Sequence, residues 1–133
     1  MYTLQISVKL HDTDAAGLLF FANQFKMAHD AYEGFMEQIG FSFARIFQDE
    51  DFLLPIVHAE ADYKARLQVG DRLTIHLTVE KIGDSSFVLL YDLSDADGKS
   101  AGMVRTVHVC TDEGTGKKRS LPDELRRGLL SES

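Results

Sequence analysis

Residues 3 to 10 alternate Thr, Leu, Gln, Ile, Ser, Val, Lys, Leu, the period-two pattern of a half-buried strand. From about Asn23 to Gly40 the period changes. Phe25, Ala28, Tyr32, Phe35, Met36 and Ile39 recur at spacings of three and four, while Gln24, Lys26, Asp30, Glu33 and Glu37 fall toward the other side. This predicts an amphipathic helix of about four turns, with Asn23 a candidate N-cap and Gly40 a stop. Residues 41–54 read as irregular or partly helical, with Asp49-Glu50-Asp51 marking a solvated bend.

Four strand-like runs follow, at about 55–67, 71–82, 86–94 and 100–111. Gly70-Asp71, Gly83-Asp84 and Asp97-Gly98 punctuate them, the last a tight-hairpin signal. In the first run Val57, Ala59, Ala61, Tyr63, Ala65 and Leu67 share one face, and His58, Glu60, Asp62, Lys64 and Arg66 the other. The second repeats the pattern with Leu73, Ile75, Leu77 and Val79 as its apolar side. A short amphipathic tail begins at Pro122, with Leu121, Leu125, Leu129 and Leu130 as docking candidates.

A one-sided sheet must cover its apolar face, and one long helix is available to do so. The expectation is an α+β fold of one domain over residues 1–133, an antiparallel sheet wrapped around a central helix, its strands joined in hairpins. An open edge strand invites pairing with another chain, so a homo-oligomer is expected.

Charge narrows the partners. Fourteen Lys and Arg against 21 Asp and Glu give a net charge of −7, which disfavours nucleic acid and anionic membrane surfaces. No apolar run approaches the ~20 residues that span a bilayer, and the N-terminus lacks the pattern of a secretory signal. The single cysteine, Cys110, cannot form an internal disulfide, and the expected location is cytoplasmic. Its strand-like neighbours mark it as structural. An anionic small molecule would need a local basic patch; Lys117-Lys118-Arg119 is the candidate, with Lys81, Lys99 and Arg105 as contributors, against the plain reading of a solvated loop.

The chemistry concentrates at residues 11 to 17, His-Asp-Thr-Asp-Ala-Ala-Gly. Asp12 and Asp14 are carried by a short loop to the mouth of the long helix, followed by Gly17, Phe20 and Phe21. Unpaired N–H groups at a helix start polarise a carbonyl, and an adjacent carboxylate supplies the attack. Asp14 would either attack an activated acyl carbonyl to give a mixed anhydride or deprotonate a water. Aspartate, ionising near ~3.9, is a weak base at neutral pH, which favours attack. Acids before a helix also serve simply as caps and turn formers.

The segment HDTDAAGLLFFAN resembles the active-site entrance of hot-dog-fold acyl-CoA thioesterases of the 4-hydroxybenzoyl-CoA type, and the element order agrees with that fold. The resemblance extends to Pro55-Ile56-Val57, to Gly70-Asp71 and, allowing one extra residue, to a K-x-x-x-S-F pattern from Lys81 to Phe87. It implies Asp14 as the catalytic carboxylate, the second Asp of D-x-D-x-x-G, with Asp12 supporting the loop. The backbone N–H of Phe21 becomes the carbonyl-polarising donor. Gly17, Phe20, His58, Ser85 and Ser86 become substrate-binding candidates, the serines toward the coenzyme A nucleotide and His58 across a dimer interface. No metal and no cofactor are implied, coenzyme A being part of the substrate. Dimers or tetramers are the implied assembly, with homotetramer the particular expectation.

Within that family the runs D-T-D-A-A-G, Ala28-His29-Asp30-Ala31-Tyr32-Glu33 and Leu54-Pro55-Ile56-Val57-His58-Ala59, with Leu121-Pro122, are similar to thioesterases acting on 1,4-dihydroxy-2-naphthoyl-CoA in menaquinone or phylloquinone biosynthesis. A broad-range or hydroxybenzoyl-CoA thioesterase is the alternative. From another class, a non-catalytic acyl-CoA-binding protein also stands, although no DNA-binding helix pair accompanies the domain. His29, near the edge of the helix's apolar face, reads as a packed residue rather than a catalytic one. The five histidines show no H-x-x-x-H or H-E-x-x-H spacing, so a catalytic metal is not expected.

Overall fold

The computed structural model describes residues 1–133. The chain runs β1 (Tyr2–Ser7), α1 (Asn23–Gln38), α2 (Phe43–Asp49), β2 (Phe52–Leu53), β3 (Ile56–Tyr63), β4 (Arg72–Ile82), β5 (Ser86–Ser94), β6 (Ser100–Val109), β7 (Thr111–Asp112) and α3 (Asp123–Ser131). Five strands form one sheet in the order β1-β4-β5-β6-β3, every pair antiparallel, and β2 pairs with β7 beside it.

Two strands are shorter than the alternation suggests. β1 ends at Ser7, and Leu10 enters a 3-10 turn where it stands exposed. β3 ends at Tyr63, so Ala65 and Leu67 belong to the following loop. Nor are β3 and β4 a hairpin. β3 pairs with β6 at one edge, and the chain then crosses to set β4 between β1 and β5.

The long helix forms where its period predicts it. Met27, Ala28, Ala31, Tyr32, Phe35 and Met36 are buried against Leu73, Ile75, Leu77, Phe87, Leu89 and Leu93 of the sheet. Gly40 ends it at φ 92°, a conformation that costs a side-chain-bearing residue energy. There the N–H of Phe41 donates to Met36 O (2.8 Å) and that of Gly40 to Glu37 O (3.1 Å), closing a Schellman cap. In α3, Leu125 and Leu129 are buried, as is Leu121 before it, but Leu130 faces outward.

The strongest departure is β3. Ala59 and Tyr63, opposite the buried Thr106 and Gly102, lie on its helix-facing side, yet Ala59 is exposed and Tyr63 is 48% exposed; Val57, unpaired where the register shifts between Ile56 and His58, is 60% exposed. The helix covers the middle of the sheet and stops short of this edge. β3 therefore presents both an open hydrogen-bonding edge and an uncovered apolar face.

Inside the core one polar chain is enclosed. The hydroxyls of Tyr91 and Thr106 lie 2.9 Å apart, and Thr106 Oγ1 lies 2.7 Å from His108 Nε2. The His108 ring stacks on Phe87 at 4.7 Å and 4° and sits 4.4 Å from the Tyr32 ring. Burial, and then the charge of His29, pull the His108 pKa down to about 3, so the imidazole is neutral near physiological pH. Burial likewise drives the Tyr32 and Tyr91 hydroxyls upward.

Candidate active site

The Asp14 loop is built by its own backbone. The 3-10 turn of Leu10–Asp12 leads into Thr13, which bridges to Leu19, while Leu18 bridges to Gln68. Leu19 N–H donates to Leu67 O at 2.6 Å, docking the loop onto the segment that leaves β3. Gly17 turns the chain at φ 77°, a left-handed position that glycine takes without a Cβ clash. Asp12 is buried: its carboxylate accepts from Lys9 N–H (2.9 Å), and its carbonyl accepts from Phe20 N–H (3.0 Å) and Asn23 Nδ2 (2.8 Å). It ties loop to helix.

Asp14 is exposed and differently held. Its Oδ1 accepts from the N–H groups of Ala16 (2.8 Å) and Leu18 (3.2 Å), whereas Oδ2 takes no hydrogen bond or ion pair from the chain. One oxygen is fixed, so the other is presented.

The start of α1 supplies the donor side. The helix begins at Asn23, and Asn23 is not an N-cap; Ala22 holds that position with helical φ and ψ, and no side chain caps it. The amide of Asn23 reaches back to Asp12 instead. Asn23, Gln24 and Phe25 donate their N–H groups to the carbonyls of Phe20, Phe21 and Ala22, leaving those of Phe21 and Ala22 with no acceptor. These are the orphan donors of a helix start.

Asp14, Phe21, Tyr63, Arg66 and Leu67 line a cavity of about 220 Å³. Phe20, 43% exposed, packs on the Phe21 ring at 4.9 Å but does not line this cavity. A larger open groove of about 820 Å³ lies between β1, α1 and the start of β4. It includes neither Asp14 nor Phe21, and its Lys9, Lys26 and Arg72 are balanced by Asp12, Asp30 and Asp95. The smaller cavity, whose lining includes both Asp14, with its unshared Oδ2, and Phe21, with its unpaired N–H, is the one suited to carbonyl chemistry.

The other candidates do not converge on it within one chain. His58 lies on the outer face of β3 with Nε2 3.3 Å from Glu60, about 17 Å along the strand from Tyr63. Ser86 pairs with Val109 and Tyr63 with Gly102, which separates the serines from the cavity by about 23 Å along β6. The basic residues do not gather either: Arg105 is held by Glu80 (2.7 Å) and Glu60, Arg119 by Asp51 (2.9 Å), and Lys99 sits in the β5–β6 hairpin. Those pairs raise the Arg105 pKa and lower that of Glu80. His29 is exposed, 3.4 Å from Glu33. Cys110 is buried just after β6, and burial raises its thiol pKa.

Two site residues carry no motif. Tyr63 reads as one more alternating strand position, yet its hydroxyl donates to Phe21 O at 2.9 Å. Gln24, expected on the polar side of the helix, is buried, and its amide donates to the carbonyls of Asp62 (3.0 Å) and Met103 (3.2 Å).

This helix-in-sheet architecture and aspartate loop define a hot-dog thioesterase. Residues 8–129 match the family model described as the thioesterase-like superfamily, and the chain belongs to that family. Among curated relatives, the 1,4-dihydroxy-2-naphthoyl-CoA hydrolase of Nostoc punctiforme is 37% identical over 128 residues, 96% of this chain and 86% of that one. The crystal structure of a 1,4-dihydroxy-2-naphthoyl-CoA thioesterase from Synechocystis superposes with a TM-score of 0.91 at 33% identity, covering 97% of this chain and 95% of that chain. A gentisyl-coenzyme A thioesterase structure gives a TM-score of 0.85 at 26% identity, over 96% and 98% of the two chains.

Proposed function

We propose that the protein hydrolyses an aromatic acyl-CoA thioester, 1,4-dihydroxy-2-naphthoyl-CoA, to 1,4-dihydroxy-2-naphthoate and coenzyme A, within menaquinone or phylloquinone biosynthesis. The observation that carries the reading is the pairing in one cavity of the unshared Asp14 Oδ2 with Phe21, whose N–H is unpaired. The thioester carbonyl oxygen accepts from Phe21 N–H while Asp14 Oδ2 attacks the carbonyl carbon. The C–S bond breaks, coenzyme A leaves as thiolate and takes a proton, and water hydrolyses the mixed anhydride to return the Asp14 carboxylate. In the alternative route Asp14 takes a proton from a water whose oxygen attacks instead. Either way the reaction needs no cofactor beyond the coenzyme A of the substrate.

The acyl assignment is supported by the names of the relatives in Nostoc punctiforme and Synechocystis. The gentisyl-coenzyme A thioesterase keeps a hydroxybenzoyl-type substrate as the second reading. The enzyme is a cytoplasmic homo-oligomer in this proposal, a dimer or a homotetramer. No helix is long and apolar enough to cross a membrane. The uncovered face and open edge of β3 support assembly. A second copy added antiparallel along that edge brings its His58, and the end of the sheet that holds its Ser85 and Ser86, toward the first copy's Asp14 cavity. That supplies the substrate-binding residues one chain does not bring together.

The test is thiol release from 1,4-dihydroxy-2-naphthoyl-CoA, hydroxybenzoyl-CoA and short aliphatic acyl-CoAs, with wild type and Asp14→Asn. Selectivity for the naphthoyl ester, lost in the variant, is the expected result. Equal turnover of all esters would replace the naphthoyl assignment with a broad thioesterase, and binding without turnover would leave an acyl-CoA-binding protein.

A further inference from the structure

Phe21 is clamped from both sides. The carbonyl of the peptide that bears its N–H, Phe20 O, accepts from Asn23 N–H (2.8 Å). The next carbonyl, Phe21 O, accepts from Gln24 N–H (3.3 Å) and from the Tyr63 hydroxyl (2.9 Å). The Tyr63 bond is the only one of these from outside the turn itself. The ring adds to it: Tyr63 meets the Phe21 ring edge-on, centroids 6.4 Å apart and planes at 83°. Gln24 makes the reverse tie, from the first turn of α1 to the carbonyl of Asp62, the residue before Tyr63. The helix start and the end of β3 are therefore stitched in both directions.

Both Tyr63 and Phe21 line the Asp14 cavity, and Tyr63 holds no other polar partner there. A donor that polarises a carbonyl acts only if its N–H stays where the oxyanion forms, because misplacement by an ångström costs rate steeply. Loss of the hydroxyl frees the Phe21–Ala22 peptide to tilt, and because that peptide and the one bearing the Phe21 N–H share the Phe21 Cα, the N–H shifts with it while the aromatic wall stays in place.

We propose that Tyr63 is a positioning residue for thioester hydrolysis, its hydroxyl and ring holding Phe21 so that the free N–H stays aimed into the Asp14 cavity. This rests on the hydrolase reading above and adds to it a group that touches neither the attacking oxygen nor the leaving sulfur.

The experiment compares wild type, Tyr63→Phe and Asp14→Asn. Steady-state thiol release should show kcat of Tyr63→Phe lowered roughly tenfold with KM within about twofold. A raised KM at unchanged kcat would overturn the proposal and make Tyr63 a wall of the acyl site. The second readout needs no turnover: the carbonyl stretch of carbon-13-labelled phenacyl-CoA, a ketone thioether without a scissile acyl–sulfur bond. Wild type and Asp14→Asn should lower that frequency relative to water, and Tyr63→Phe should lower it less. Equal shifts in all three proteins, or none in wild type, would overturn the proposal. No thiol release by wild type from any ester would instead defeat the hydrolase reading, full activity in Asp14→Asn would move the attack to another group, and in either case the carbonyl shift would still decide the role of Tyr63.

Discussion

The side-chain amide of Gln24 lies in the space that a side chain at Gly102 would fill. A Cβ built there would stand 2.8 Å from Gln24 Nε2 and 2.8 Å from the carbonyl of Asp62. Gly102 is thus the gap through which the first turn of α1 reaches the β3–β6 pair, and it fixes how deep the helix start sits.

Gly102→Ala should therefore loosen that start. The added carbon meets a backbone carbonyl as well as a flexible amide, so strand spacing must change. The expected loss is about 2 kcal/mol, within the range for overpacked sites, read as a lower midpoint in urea. Thiol release should fall as well, because the displaced amide is what holds the first turn beside Phe21. A variant as stable as wild type would show that β3 yields easily at this point.

Asp14→Asn should abolish hydrolysis while leaving the fold alone. Asparagine Oδ1 still accepts from Ala16 and Leu18, so the loop keeps its shape and loses only the charged oxygen. A fall in kcat of at least about 10²-fold, with an unchanged thermal midpoint, is the expected pair of results. A fall of less than tenfold would move the chemistry to another residue.

The buried imidazole predicts acid sensitivity with a definite sign. His108 is held near pKa 3 when folded, whereas an unfolded histidine titrates near ~6.5. Between those values the unfolded chain binds the extra proton, so stability is full above about 6.5 and declines as pH falls. From pH 7.5 to pH 5 this single group should remove about 2 kcal/mol. Glu80 and Asp112, whose pKa values are lowered from 4.5 and 3.8, stabilise the fold above those values and lose that contribution as pH falls through and below them, under that window. Urea unfolding at the two pH values should show the loss in wild type and a smaller one in His108→Gln. Equal slopes would place the titrating group elsewhere.

Charge on the uncovered face should break the proposed assembly. Ala59 stands opposite Thr106 on the helix-facing side of β3 and is exposed. Ala59→Lys should shift sedimentation from oligomer to monomer and depress thiol release together, since His58 and the serines then come from no second copy. A monomeric wild type with full activity would remove the composite-site argument.

Much of this was legible in the residues, and the omissions have physical causes. Strict alternation gave β4, because Leu73, Ile75, Leu77 and Val79 meet the helix squarely and are buried. The same alternation misjudged β3, where period two reports which residues share a face but not whether anything covers it. The spacing of Leu10 continues β1, but the backbone leaves the sheet there to form the turn of Leu10–Asp12. Asp14 stands out because it is the second acid of a D-x-D-x-x-G motif, whereas Phe21, four residues past the motif glycine, is legible only through the family resemblance. Gln24 reads as solvated because a glutamine on a helix falls on its polar side; its burial depends on a glycine 78 positions later. Tyr63 carried no signal of its own, because its partner is a main-chain carbonyl that any sequence would supply.

That the proposed donor at the mouth of α1 is main chain, fixed by a turn and two cross-ties, separates it from the side chains that surround it. In the proposed hydrolase, another ring at position 21 that still meets Tyr63 edge-on leaves the N–H and the carboxylate loop in place. Acyl preference is therefore open to retuning, by lineage or by design, at a cavity wall whose exchange leaves the proposed bond-breaking groups untouched.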